Sequence, residues 1–144
     1  MNQHNVTAEQ LQHFMQTEFE GFKTEIKIAR PEYCELIRRI DATDLRPGGT
    51  VSGPTMMELA DTALYVAVLA TVGLIPLAVT TNLSINFLRK PAAHSNLRAV
   101  CVLHKVGRSQ AVGSVEIFSE GSDAAVAHAV GTYAIPPVGR STSD

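Results

Sequence analysis

The chain has 144 residues, 45% of them apolar and 18% charged, proportions of a globular protein long enough for one domain with a real core. A formal net charge of −2 supplies no field for nucleic acid or an anionic membrane surface, so neither is expected as a partner. The two cysteines, Cys34 and Cys101, lie far apart without C-x-x-C spacing, which excludes a cysteine zinc motif and reads as buried free thiols.

The polar start Met1-Asn2-Gln3-His4 has no charged stretch leading into an apolar one, so the expected location is cytoplasmic. Thr7-Ala8-Glu9-Gln10 has the form of a capping box. Leu11, Phe14, Met15 and Phe19 then recur at helical spacing, predicting a helix to about Phe19 that covers an edge or mouth of the domain. Gly21 ends it. Residues 24–29 and 33–40 read as strands, with Pro31 between them, and the turn-rich run Asp41 to Gly49 leads onward.

The next stretch organises the chain. Ser52 or Gly53 suits an N-cap and Pro54 the first helical position, while Thr71-Val72-Gly73 ends the helix. From Met56 to Val72 apolar residues fall on nearly every face, so this helix must be wrapped by the rest of the protein. Inside it sit Glu58 and Asp61, one turn apart, carboxylates that need partners, water or a shifted pKa. Two charges in the run also argue against a membrane span.

Four strand-like runs follow, at 78–88, 96–106, 110–119 and 125–135, separated by turn signals, with Pro136-Pro137 as the stop. In the first, Val79, Thr81, Leu83, Ile85 and Phe87 are assigned to one face and the residues between them to the other. The order predicts an α+β fold, an antiparallel sheet curled around a long central helix. Residues 1–22 are read as an N-terminal helical segment, 23–138 as a single domain and 139–144 as a flexible tail.

Several of these pieces resemble the hotdog-fold acyl-CoA thioesterases, in their phenylacetate-degradation (PaaI-like) branch. The loop and helix Pro47-Gly48-Gly49-Thr50-Val51-Ser52-Gly53-Pro54, with Leu59-Ala60-Asp61-Thr62-Ala63, is similar to the family's Asn-Pro-x-Gly-x-x-His-Gly-Gly element followed by Leu-x-Asp-x-Ala. Thr81 to Arg89 with Pro91, Lys105-Val106-Gly107-Arg108, and Ala127-His128-Ala129 to Tyr133 resemble its later strands. Arg46, Ser52 and Pro54 depart from it, standing where the family often has Asn, His and the second Gly.

The resemblance implies a hotdog domain that hydrolyses an acyl-CoA thioester to a free acid and CoA. The Gly53 amide would polarise the carbonyl, and Asp61 would act as nucleophile or general base. It also implies self-association as a dimer or tetramer, with the pocket between protomers. No cofactor is expected beyond the coenzyme A of the substrate, and no metal. Glu58 is a second candidate acid, equally explained as a first-turn dipole partner. Thr62 and Tyr65 are pocket-lining or core residues, and Ser52 a hydroxyl contact or simply the cap. Arg89, Lys90 and Arg108 at the turns are candidates for the CoA phosphates. The departures motivate an alternative, a non-catalytic protein that binds CoA or an acyl ligand.

Overall fold

The computed structural model describes residues 6–137; the 139–144 segment read as a tail lies outside the described residues. Helix α1 covers Ala8–Glu18, strands β1 and β2 Thr24–Arg30 and Tyr33–Arg38, and a 3-10 turn Ala42–Asp44. Helix α2 covers Gly53–Val72, and β3 to β6 follow at Val79–Phe87, Leu97–Val106, Gln110–Ser119 and Ala125–Ala134. All six strands form one antiparallel sheet in the order β1-β2-β4-β5-β6-β3. The expected α+β architecture, a sheet wrapped around a central helix, is therefore the observed one.

Helix α2 fills the hollow of the sheet. Its residues from Ala63 to Ala70 are all buried, against Leu36, Leu97, Ala99, Val115, Ile117 and Ala129 of the strands. It is long and apolar enough to cross a membrane, but most of it is enclosed by the protein itself. Gly73, at φ 104°, caps it, a conformation in which glycine carries no Cβ penalty. Helix α1 begins with the predicted capping box of Thr7 and Gln10. It is more than a cover, since Leu11 and Met15 belong to the core. Gln12 also bonds both the Ile26 N–H (2.7 Å) and the Thr24 carbonyl (3.0 Å).

Cys34 and Cys101 face each other across β2 and β4, free and buried as expected. Burial pushes the Cys34 thiol up, so it is an unreactive core group that donates to the Ala63 carbonyl.

The sheet can close on α2 because two glycines, Gly113 and Gly131, are paired across β5 and β6 beneath Leu64. A Cβ on Gly131 would lie 2.4 Å from Leu64 Cδ1, and one on Gly113 2.8 Å from the Val102 carbonyl oxygen. The second contact is with backbone and cannot be relieved by a rotamer change. Gly113→Ala should therefore lower stability by about 1–3 kcal/mol through overpacking. Gly107→Ala, in an exposed turn where a Cβ would meet only an ordinary contact at 3.5 Å, should cost much less. Urea unfolding of the two variants makes the comparison.

Candidate active site

The N-terminus of α2 is built by the loop before it. Ser52 is the N-cap: its hydroxyl accepts from Thr55 N–H (3.3 Å) and its own N–H donates to the Asp44 carbonyl (2.8 Å). Gly53 is the first helical residue and Pro54 the second, one position later than the sequence suggested. Pro54 has no N–H and Thr55 N–H is spent on Ser52. Gly53 N–H is thus the one first-turn donor without an acceptor among the described residues. It lies at the positive end of the helix dipole, where negative charge on an oxygen is stabilised. The Phe87 ring packs on the Gly53 Cα, 3.3 Å from where a Cβ would stand.

Two turns further on, Asp61 meets the start of β3 and the end of β6. Thr80 Oγ1 donates to its Oδ1 at 2.5 Å and Tyr133 Oη to the same oxygen at 2.8 Å. Oδ2 has no partner among the described residues. Burial raises the Tyr133 phenol far above its usual range, and the Asp61 charge adds to this against the opposing pull of Thr80. Tyr133 is therefore a permanent donor that orients the carboxylate without titrating beside it.

Sequence reasoning missed both partners. Thr80 reaches Asp61 because β3 carries a register shift between Thr80 and Asn82, which changes the strand's phase. Val79 accordingly stands 54% exposed, and the simple alternation read from sequence fails at this end of the strand. Tyr133 is 72 residues from Asp61 and no local pattern points to it.

Asp61, Thr62 and Tyr65 line a cavity of about 690 Å³ with Thr80 and Tyr133, and the turn after α1 forms its far side. That volume suits a small organic ligand. Glu58 stands at its rim in the second turn of α2, not the first, and is held by Arg38 at 2.9 Å. Arg38, unremarked in the sequence, is buried and also reaches Asp44 at 2.7 Å. Asp44 in turn takes Asp41 N–H (3.0 Å), the Thr55 hydroxyl (3.3 Å) and Lys23 (3.3 Å). One buried ion pair thus fixes β2, the preceding loop and the first turn of α2.

Eight residues separate Gly53 from Asp61, which is about 12 Å along the helix axis. Gly53 does not line the Asp61 cavity. One protomer therefore does not bring the free N–H and the carboxylate to a single carbonyl. The turn carrying Arg108 follows β4 at the Asp61 end of the sheet, where Gln110 pairs with Ala134 and Ala134 with Val79. Arg89 and Lys90 are exposed just beyond Phe87, at the Gly53 end, and Arg89 donates to the Ala125 carbonyl. Among the described residues no group of His, Cys, Asp and Glu is arranged to hold a metal ion.

Residues 48–126 match the family model of the thioesterase superfamily, a span of more than half the chain. The chain belongs to the thioesterase superfamily. A solved structure named as a candidate thioesterase from Silicibacter sp. TM1040 is 40% identical, with a TM-score of 0.84 over 92% of this chain and 93% of that one. The PaaI protein of the E. coli phenylacetic acid degradation operon is 25% identical, with a TM-score of 0.69 over 78% of this chain and 82% of its own. Zebrafish thioesterase superfamily member 2, at 17% identity, shares the fold, with a TM-score of 0.81 over 91% of this chain and 99% of that one. No curated protein gives a match. The wrapped sheet and central helix are the hotdog fold of this superfamily, whose membership makes thioester hydrolysis the general activity.

The Arg38–Asp44 pair in this thioesterase-superfamily chain has a pH signature. Burial alone would raise the Asp44 carboxyl, but the Asp41 N–H, the Arg38 guanidinium and Lys23 outweigh it and bring it below 3.8. A depressed carboxylate adds stability above its unfolded value and loses it as pH falls through the folded one. Asp44→Asn should destabilise by about 3 kcal/mol at neutral pH, since it leaves Arg38 buried beside a neutral partner. Thermal melts below pH 4 should then show the parent losing stability faster than the variant, narrowing the gap.

Proposed function

We propose that the chain is an acyl-CoA thioesterase of the PaaI-like kind, with Asp61 as the base and Gly53 N–H as the oxyanion donor. The observation that carries this is the pair of preorganised groups on α2: a carboxylate held by Thr80 and Tyr133 with Oδ2 open, and a single free N–H at the helix start. A water bound to Oδ2 would attack the thioester carbonyl and give its proton to Asp61. The carbonyl electrons would move onto the oxygen facing Gly53 N–H. Collapse of this intermediate would expel the CoA thiolate, which takes the proton back from Asp61. Glu58 is the weaker candidate, since Arg38 already engages it. Ser52 is occupied as the cap, so Gly53 supplies the donor alone.

The 12 Å gap along α2 requires a second copy. Strand β3 is a sheet edge, and Leu77, Val79, Phe87 and Leu88 beside or along it are each at least half exposed. Antiparallel pairing of β3 with its copy about a two-fold at Leu83 would set Thr80 opposite Asn86, and Val79 opposite Phe87. The Gly53 end of one protomer, which Phe87 touches, then meets the Asp61 end of the other. Arg89 and Lys90 of one chain also approach Arg108 of the other, where they would face the CoA phosphates.

Asp61→Asn keeps shape but removes the base, so kcat should fall by about 10²–10⁴ with CoA binding retained in calorimetry. Full turnover by this variant on a panel of acyl-CoAs, read by release of free thiol, would exclude Asp61. Absence of turnover in the parent on every acyl-CoA would favour the binding-protein reading, which the Arg46, Ser52 and Pro54 departures motivate. Arg108→Ala should raise KM far more than it lowers kcat, because phosphate contacts exist in ground and transition states alike. That effect should shrink as salt is added.

A further inference from the structure

We infer that the turn joining α1 to β1, which Phe19 begins as the C-cap of α1, is the end wall of the acyl pocket and sets the chain length accepted. This rests on the thioesterase reading, because it places the acyl group in the cavity beside Asp61. Phe19, Gly21, Phe22 and Thr24 line the same cavity as the carboxylate.

Three aromatic rings connect the two. Tyr133, which holds Asp61, lies 6.1 Å from Tyr65, and the Tyr65 ring meets Phe19 edge-on at 5.7 Å and 86°. Tyr65 cannot swing aside freely, since its hydroxyl donates to the Pro76 carbonyl at 3.2 Å. A thioester carbonyl at Asp61 would therefore direct its acyl group past Thr62 and Tyr65, one helical turn on, toward Phe19. This route leaves the side that meets the Gly53 end of the second copy free for the CoA part.

The wall is fixed in place. Leu11 and Met15 anchor α1 in the core, Gln12 ties it to β1, and Phe19 N–H donates to Met15 while Phe22 N–H donates to Phe19. Gly21, at φ 75°, turns the chain back over the cavity, a conformation suited to glycine. Lys23 then pins the segment to Asp41 at 2.5 Å and Asp44 at 3.3 Å. The Phe19 side chain itself is 43% exposed and outside the core, so its size can change without emptying the interior. Sequence reading gave α1 a covering role; its tip borders the chemistry.

The test compares parent, Phe19→Ala and Phe19→Trp on straight-chain acyl-CoAs from acetyl to dodecanoyl. Calorimetry with the matching non-hydrolysable acyl thioether analogues of CoA runs in parallel. In Phe19→Ala the preferred chain should lengthen, with the long-to-short ratio of kcat/KM rising about fourfold for each methylene newly accommodated. Phe19→Trp should shift the preference to shorter chains, and the thioether affinities should follow the same order. A parent that hydrolyses nothing would defeat the thioesterase reading, while a shifted thioether ranking would still support the wall. An unchanged chain-length ranking in both assays, or no analogue binding at all, overturns it.

Discussion

Helix α2 is apolar on nearly every face, and the fold is the answer to that constraint. Such a helix has to be enclosed, so the sheet curls over it and spends Gly113 and Gly131 to admit Leu64. Enclosure then dictates the chemistry. A carboxylate carried on the enclosed helix must be satisfied by hydrogen bonds, and Asp61 takes them from Thr80 and Tyr133 on neighbouring strands. The bonds that make Asp61 tolerable also aim it, both ending on Oδ1 and leaving Oδ2 for a ligand. Preorganised groups of this kind need no reorganisation when charge develops.

The start of the same helix is organised by a different force. The buried Arg38–Asp44 pair gathers β2, the loop and Thr55, and the Asp44 carbonyl receives the N–H of the capping residue. Ser52 and Pro54 then reduce the first turn to one available donor, Gly53 N–H. Departures from the family pattern that look like losses in sequence therefore narrow the donor set and leave it one member. Precision at this point matters, because a lone donor cannot be compensated by a neighbour.

Much of this was legible in the residues. The length and enclosure of α2, its Ser52 cap, the strand sequence and the setting of Asp61 all follow from local patterns, and each strand edge lies within about two residues of its expected place. What could not be read came from long range. The phase change in β3 arises from a register shift against β6, so Thr80 seemed to belong to the outer face. Tyr133 and Arg38 act through partners that only folding brings near, and α1 looked like a cover because nothing local links Phe19 to Tyr65. Alternation describes a regular ladder, and Thr80 sits where the ladder is broken.

In the proposed dimer a working site combines Gly53 of one protomer with Asp61 of another. Co-expression of Gly53→Pro, which removes the N–H, with Asp61→Asn under two different tags gives a heterodimer that can be purified. Each homodimer lacks one group in both sites, whereas the heterodimer has one site with both groups intact. It should recover about half the parental kcat per dimer, while both homodimers stay nearly inactive. A heterodimer as inactive as the two homodimers would contradict the shared site and place both groups on one chain.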